Sequence, residues 1–185
     1  MKLFFDTETT SLYPGQICQL SYVLDDGICV RGKNFFFSVD EIDPSSAAVN
    51  GLSVELLAEL SGGKRFEDCV DEIATDFENA DLFAHNFNFD YSFLQAEFSR
   101  LGKLFRYRSD FCTMRKYTPV LKLPRNNGGY KFPKLSELMR FCGVTEEDAF
   151  SEAEKLFGGG TKLHDARADA VAVWLCVKWM EKEKD

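Results

Sequence analysis

Apolar residues come in short bursts near the N-terminus and at helical spacing further along. Leu3-Phe4-Phe5 predicts a short buried strand running into Asp6. Ile17 to Leu24 and Val30 to Val39 read as further strands, with a turn at Asp25-Asp26-Gly27 between them, hence an antiparallel meander. Ser45 to Leu60 reads as short helices broken at Gly51 and ended by Gly62-Gly63. Phe66, Val70, Ile73 and Phe77 recur at helical spacing across Phe66 to Asn79. Asp81 to His85 is a buried strand, followed by a helix from about Asn88 to Leu101 that Gly102 stops. A short strand near Ser109 to Thr113 and a helix from Leu135 to Cys142, closed by Gly143, come next. Glycine-rich loops fall at 126–129 and 158–160, and an almost wholly apolar helix runs from about Asp165 to Met180. Strands first in a meander, then strand and helix in alternation, predict the α/β class: a mixed five-stranded sheet covered by helices. Neither repeat nor linker interrupts residues 1–185, which read as a single domain.

Composition narrows the class. At 45% hydrophobic and 28% charged the chain is globular rather than disordered, and 18 phenylalanines supply volume for a core. No apolar run approaches the roughly 20 residues of a membrane span, and Asp6 comes too early for a signal peptide, so a cytoplasmic protein with no membrane partner is expected. None of the six cysteines forms a C-x-x-C pair, which argues for reduced core thiols rather than a zinc ribbon. The net charge of −8 conceals a basic segment: Arg100 to Lys134 holds ten cations against Asp110 alone. Tyr107, Phe111, Tyr117, Tyr130 and Phe132 are interleaved with them, and cations with aromatics suit a phosphate backbone and stacked bases. Arg106, Arg108, Arg115 and Lys116 are the expected centre of that patch.

The acids stand in unusual places. Asp6 and Glu8, two apart at a strand end, share one face and can converge on one point. Asp90 precedes Phe93 and Leu94 by three and four residues, which puts it on the buried face of its helix. Asp169 likewise heads the stripe Ala172, Val173, Cys176, Met180, while Asp165, one turn earlier, could cap the helix; pattern alone does not choose between the two as a ligand. The only histidines, His85 and His164, each precede one of these helices. His85 ends a strand and suits a hydrogen bond to local backbone. His164 follows a flexible glycine triplet and suits a general base. Such oxygen-only ligands suit Mg²⁺ or Mn²⁺, and two such ions would serve a phosphodiester displacement.

Three segments resemble, in order, the motifs of the DEDDh exonucleases, the DnaQ-like branch of the ribonuclease H-like fold: residues 5–12 (FDTETTSL), 84–94 (AHNFNFDYSFL) and 164–170 (HDARADA). The resemblance implies a 3′→5′ exonuclease releasing 5′-mononucleotides from nucleic acid with a free 3′ end. It implies two divalent ions held by Asp6, Glu8, Asp90 and Asp169, with His164 as general base and Asp165 a neighbour without that role. Thr7, Thr9, Leu12 and Phe89 would hold the substrate, Leu12 as an apolar wedge, and Asn86 would support the second motif. Ser11 departs from the usual glycine. The family includes polymerase proofreading subunits. With five residues after the last predicted helix, a tail for gripping a polymerase is not expected here, so a polymerase or repair partner would need another surface. No residue reads the 2′-hydroxyl that separates RNA from DNA, and DNA is the preferred expectation. The rival expectation is a non-catalytic nucleic-acid-binding domain of the same fold, which predicts loss of a metal-site acid. Gly158-Gly159-Gly160-Thr161-Lys162 lacks the order of a phosphate-binding P-loop. The oligomeric state is open.

Overall fold

A computed structural model describes residues 1–159 and 165–183. Strands β1 (Lys2–Thr9), β2 (Ile17–Asp25) and β3 (Val30–Phe36) form the expected meander, and β4 (Asp81–Ala84) and β5 (Ser109–Cys112) extend the other edge. The sheet order is β3-β2-β1-β4-β5, antiparallel across the meander and parallel from β1 through β4 to β5. Around it lie α1 (Pro44–Asn50), α2 (Val54–Ser61), α3 (Phe66–Phe77), α4 (Phe87–Arg100), α5 (Thr113–Leu121), α6 (Leu135–Cys142), α7 (Glu146–Phe157) and α8 (Ala166–Lys182). The predicted mixed five-stranded sheet covered by helices is therefore present. α5 and α7 were not anticipated, and β1 continues through Asp6 and Glu8 rather than ending at them.

Strand alternation divides the core in two. Leu3 and Phe5 face α3 and α4, where Phe77 meets the rings of Phe5, Tyr22 and Phe105 at 5.2–5.5 Å between centroids. Phe4 faces the other way, into a core built by α6, α7 and α8. The abundant phenylalanines are thus spent mainly on the first layer. All six cysteines are free thiols, but only Cys18, Cys142 and Cys176 are the buried core thiols expected; Cys69 and Cys112 are half-buried and Cys29 is exposed.

Two local devices aim the helices that matter. The chain leaves β4 through His85 and turns at Asn86, whose left-handed backbone (φ 66°) starts α4 at once. Asp90 therefore lies in the first turn of α4, beside the far end of β1. Helix α8 is capped by Asp165, which accepts from the Arg167 amide. Its start is tied to β2 by Gln19 Nε2 donating to Asp165 at 2.9 Å. Trp174 Nε1 donates to Asp25 at 2.9 Å, and Lys2 pairs with Glu181 near its other end. α8 thus runs away from the end of β1 that carries Glu8, and the positive ends of α4 and α8 both face that region.

Candidate active site

Asp6 and Glu8 lie on the α8 side of β1, opposite Ser21 and Gln19 of β2. Asp90 arrives from the other side. Its Oδ1 accepts from the Thr7 amide at 3.1 Å and from the Thr7 hydroxyl at 2.7 Å. Asp169 stands in the first turn of α8, and its charge is felt at Asp6, Glu8 and Asp90 alike. The fold thus brings the four expected acids to the C-terminal end of β1, where open α/β sheets bind ligands.

Their protonation reflects the crowding. Burial, then the charges of Asp90, Asp169 and Glu8, push the Asp6 carboxyl well above the ordinary carboxylate range. Burial and Asp169 raise Glu8 to about 8, against the pull of the Asn50 amide. Burial raises Asp90 to about 7, although the two bonds from Thr7 favour its charged form. Among the described residues, no three acid, histidine or cysteine side chains stand grouped closely enough to hold one ion as placed. The acids are in electrostatic reach of one another rather than in ligating geometry. Buried oxygen donors that resist ionising beside one another fit a hard divalent cation, which would let all of them ionise.

The two acids of α8 that pattern could not separate are distinguished by their partners. Burial raises Asp165, but bonds from Arg167 and Gln19 outweigh it and hold the carboxyl below its usual range. Its Oδ1 takes Arg167 Nε at 2.8 Å and its Oδ2 takes Nη2 at 2.5 Å, so it is committed to capping its own helix and to this pair.

Thr7, Thr9, Leu12 and Phe89 line one cavity of about 290 Å³ with Glu8, Val49 and Asn50. The Thr9 hydroxyl donates to the Ser11 carbonyl at 2.8 Å and shapes the turn that leaves Leu12 73% exposed at the rim. His85 is half-buried, with Nδ1 2.9 Å from Thr113 Oγ1 and Nε2 2.9 Å from the Pro133 carbonyl, and the partial burial lowers its affinity for a proton. The bond is to backbone, but not to the local backbone expected: its carbonyl partner lies 48 residues on. His164 lies outside the described residues.

The four expected basic residues are not brought together. Arg115 and Lys116 are exposed in the first turns of α5, at the site end of β5. Arg108 donates to Asp81 at 2.6 Å, at the opposite end of the sheet where Asp81 pairs with Lys2, and Arg106 precedes it there. The cause is topological: β5 lies between the two pairs and carries the chain from the far end of the parallel strands toward the site end. Asn50 and Thr113 were missed by sequence reasoning. Asn50 ends a helix before a glycine and Thr113 starts one, positions with no chemical signature of their own.

A mixed sheet in this order, with acids gathered at the end of its first strand between two helix N-termini, defines a ribonuclease H-like domain. No protein-family model matches the chain. It is 30% identical over 158 residues to DNA polymerase III subunit epsilon of Salmonella typhimurium, a match covering 80% of this chain and 61% of that protein. It is 26% identical over 194 residues to the epsilon subunit of Pasteurella multocida, covering 93% and 74%. Among solved structures, a zinc-bound complex of Escherichia coli exonuclease I with single-stranded DNA superposes with a TM-score of 0.72 at 17% identity, covering 99% of this chain and 40% of that one. The chain thus spans 61% of the length of the first of these relatives. With its three motifs in order on this fold, the chain belongs to the DnaQ-like 3′–5′ exonuclease family.

Proposed function

We propose that the chain is a metal-dependent 3′→5′ exonuclease, acting on DNA in preference to RNA and releasing 5′-mononucleotides. The observation that carries this reading is the convergence of Asp6, Glu8, Asp90 and Asp169, with burial first and then the neighbouring carboxylates, Asp169 among them, opposing the ionisation of both Asp6 and Glu8. Those four acids would hold two divalent ions, Mg²⁺ or Mn²⁺. Ions bound there would supply charge for the attacking and leaving oxygens of a phosphodiester. The terminal nucleotide would occupy the cavity beside Glu8, gripped through Thr9 and wedged by Leu12. Thr7 would orient Asp90 from beneath that cavity. His164 would take the proton of the attacking water, a role worth roughly 10²–10⁴ in rate.

The names of the relatives support DNA as substrate and a polymerase assembly as partner, and the single-stranded DNA held by the exonuclease I neighbour supports the same substrate. The test is a 5′-labelled single-stranded DNA, a mismatched duplex and a matching RNA, each incubated with Mg²⁺, with Mn²⁺ or with EDTA. A ladder shortening from the 3′ end only with metal, and lost in Asp6→Asn and Asp90→Asn, is expected. Tight binding without shortening on any substrate would instead identify a non-catalytic nucleic-acid-binding domain.

A further inference from the structure

Beyond α5 the chain builds a feature that the site does not use. Lys122 ends α5 in a left-handed conformation (φ 51°) and launches a short hairpin. Pro124 bridges Tyr130, Lys131 N donates to the Leu123 carbonyl at 3.0 Å, and Arg125 N donates to Gly129 at 3.2 Å. Gly128 and Gly129 both take positive φ (86° and 75°), which lets the tip turn back. The hairpin displays Tyr130 at 49% and Phe132 at 61% exposure. Rings of that size left in water are unusual in a chain that buries most of its aromatics. Lys131 pairs with Glu137, but among the described residues Lys122, Arg125 and Lys134 have no acid within ion-pair reach.

The hairpin is fastened to the turn that leads into α4, the helix that carries Asp90. His85, which ends β4 and starts the turn into α4, binds the Pro133 carbonyl at the base of its returning arm. The next residues, Lys134 and Leu135, share an apolar cavity of about 220 Å³ with Phe150 and Asp169. The two cavities therefore border different members of the cluster: Glu8 lines one and Asp169 the other.

The geometry points to this hairpin as a second nucleic-acid site, a guide for the single-stranded DNA that trails behind the nucleotide being cleaved. Arg125, Lys122 and Lys134 would face its phosphates, and Tyr130 and Phe132 would stack on its bases. Base stacking on exposed rings tolerates any sequence, as a strand that moves through the site requires. The assignment rests on the exonuclease reading, so its test must separate the two.

Two substrates do so: the p-nitrophenyl ester of thymidine 5′-monophosphate, too short to reach the hairpin, and an oligothymidylate long enough to cross it. In Tyr130→Ala/Phe132→Ala, the ratio of oligomer to ester kcat/KM should fall about tenfold or more, through KM. In Arg125→Gln, the log–log salt dependence of oligomer binding should lose about 0.7 in slope. Losses equal on both substrates, or none on the oligomer, would overturn the assignment. Wild-type protein inactive on both would overturn the exonuclease reading. Fluorescence anisotropy of the labelled oligomer in EDTA would still test the hairpin, and affinity unchanged in both variants would refute it.

Discussion

Glu8 keeps its proton to about pH 8 and Asp90 to about pH 7, far above carboxylates in an unfolded chain. The sign of the consequence follows from proton counting. Between the unfolded value near 4 and these raised values, the folded protein binds more protons than the unfolded one, so stability falls as pH rises through that window. Asp6 acts in the same direction. His85 acts oppositely: burial lowers its proton affinity, so it destabilises the fold as pH drops below the ordinary histidine value of 6.5. From about pH 6.5 to 8 the histidine is neutral in both states and the acids dominate. The metal-free protein should therefore show a Tm that declines across this window. Millimolar Mg²⁺ should raise Tm more at pH 8 than at pH 6.5, because a cation favours the ionised acids that burial and mutual repulsion disfavour. Differential scanning fluorimetry with EDTA and with Mg²⁺ would measure both. A metal-free Tm flat or rising over the window would mean that the acids do not form one coupled site.

At the scale of elements, the strands and the helices with wide apolar stripes were legible, and so was the placing of the acids. Alternation put Asp6 and Glu8 on one face of β1, and helical spacing put Asp90 on the buried side of α4. Helix α7 escaped because its first turn is all acid and its fully buried positions are only Ala149 and Ala153, too little apolar area for periodicity to register. Its sequence signal was the cap: Thr145 Oγ1 accepts from Asp148 N at 3.0 Å while Asp148 takes Thr145 N at 2.9 Å. Helix α5 was hidden by its cations and by Pro119 inside it. The loss matters because α7 closes against the outer strand. A Cβ at Gly32 of β3 would stand 2.7 Å from Phe157 Cε1 and 2.9 Å from the Leu156 carbonyl. Gly32→Ala should therefore destabilise the protein by about 1–3 kcal/mol in urea unfolding. Trimming Phe157 to alanine in the same chain should not restore it, since the backbone carbonyl still blocks the methyl. A cost below about 0.5 kcal/mol, the range of a neutral surface change, would show that α7 sits loosely on the sheet.

Over the whole molecule, the run of ten cations that looked continuous in sequence is taken apart by the topology. Arg100 pairs with Glu67 and Glu97, Lys103 with Asp71 and Arg108 with Asp81, the last at the end of the parallel strands opposite the site. Arg115 and Lys116 lie past the far end of β5, on the side of Glu8 and Asp169. From Lys2, beside Asp81, to Glu8 is six residues of strand, roughly 20 Å at about 3.3 Å each. That exceeds the Debye length of about 8–10 Å at ordinary salt, so cations at the far end contribute little to a phosphate held at the site. Neutralising Arg115 and Lys116 to glutamine should therefore lower the salt slope of oligonucleotide binding by about 0.7 per charge. The same change at Arg106 and Arg108 should leave the slope where it was. It should also leave stability nearly unaltered, since the exposed pair with Asp81 is worth at most about 1 kcal/mol. Titrations with a labelled oligonucleotide over a range of KCl concentrations would compare the two double variants. Equal slope losses from both would mean that bound DNA runs the length of the sheet edge along β5, and that sequence order, not topology, describes the binding surface.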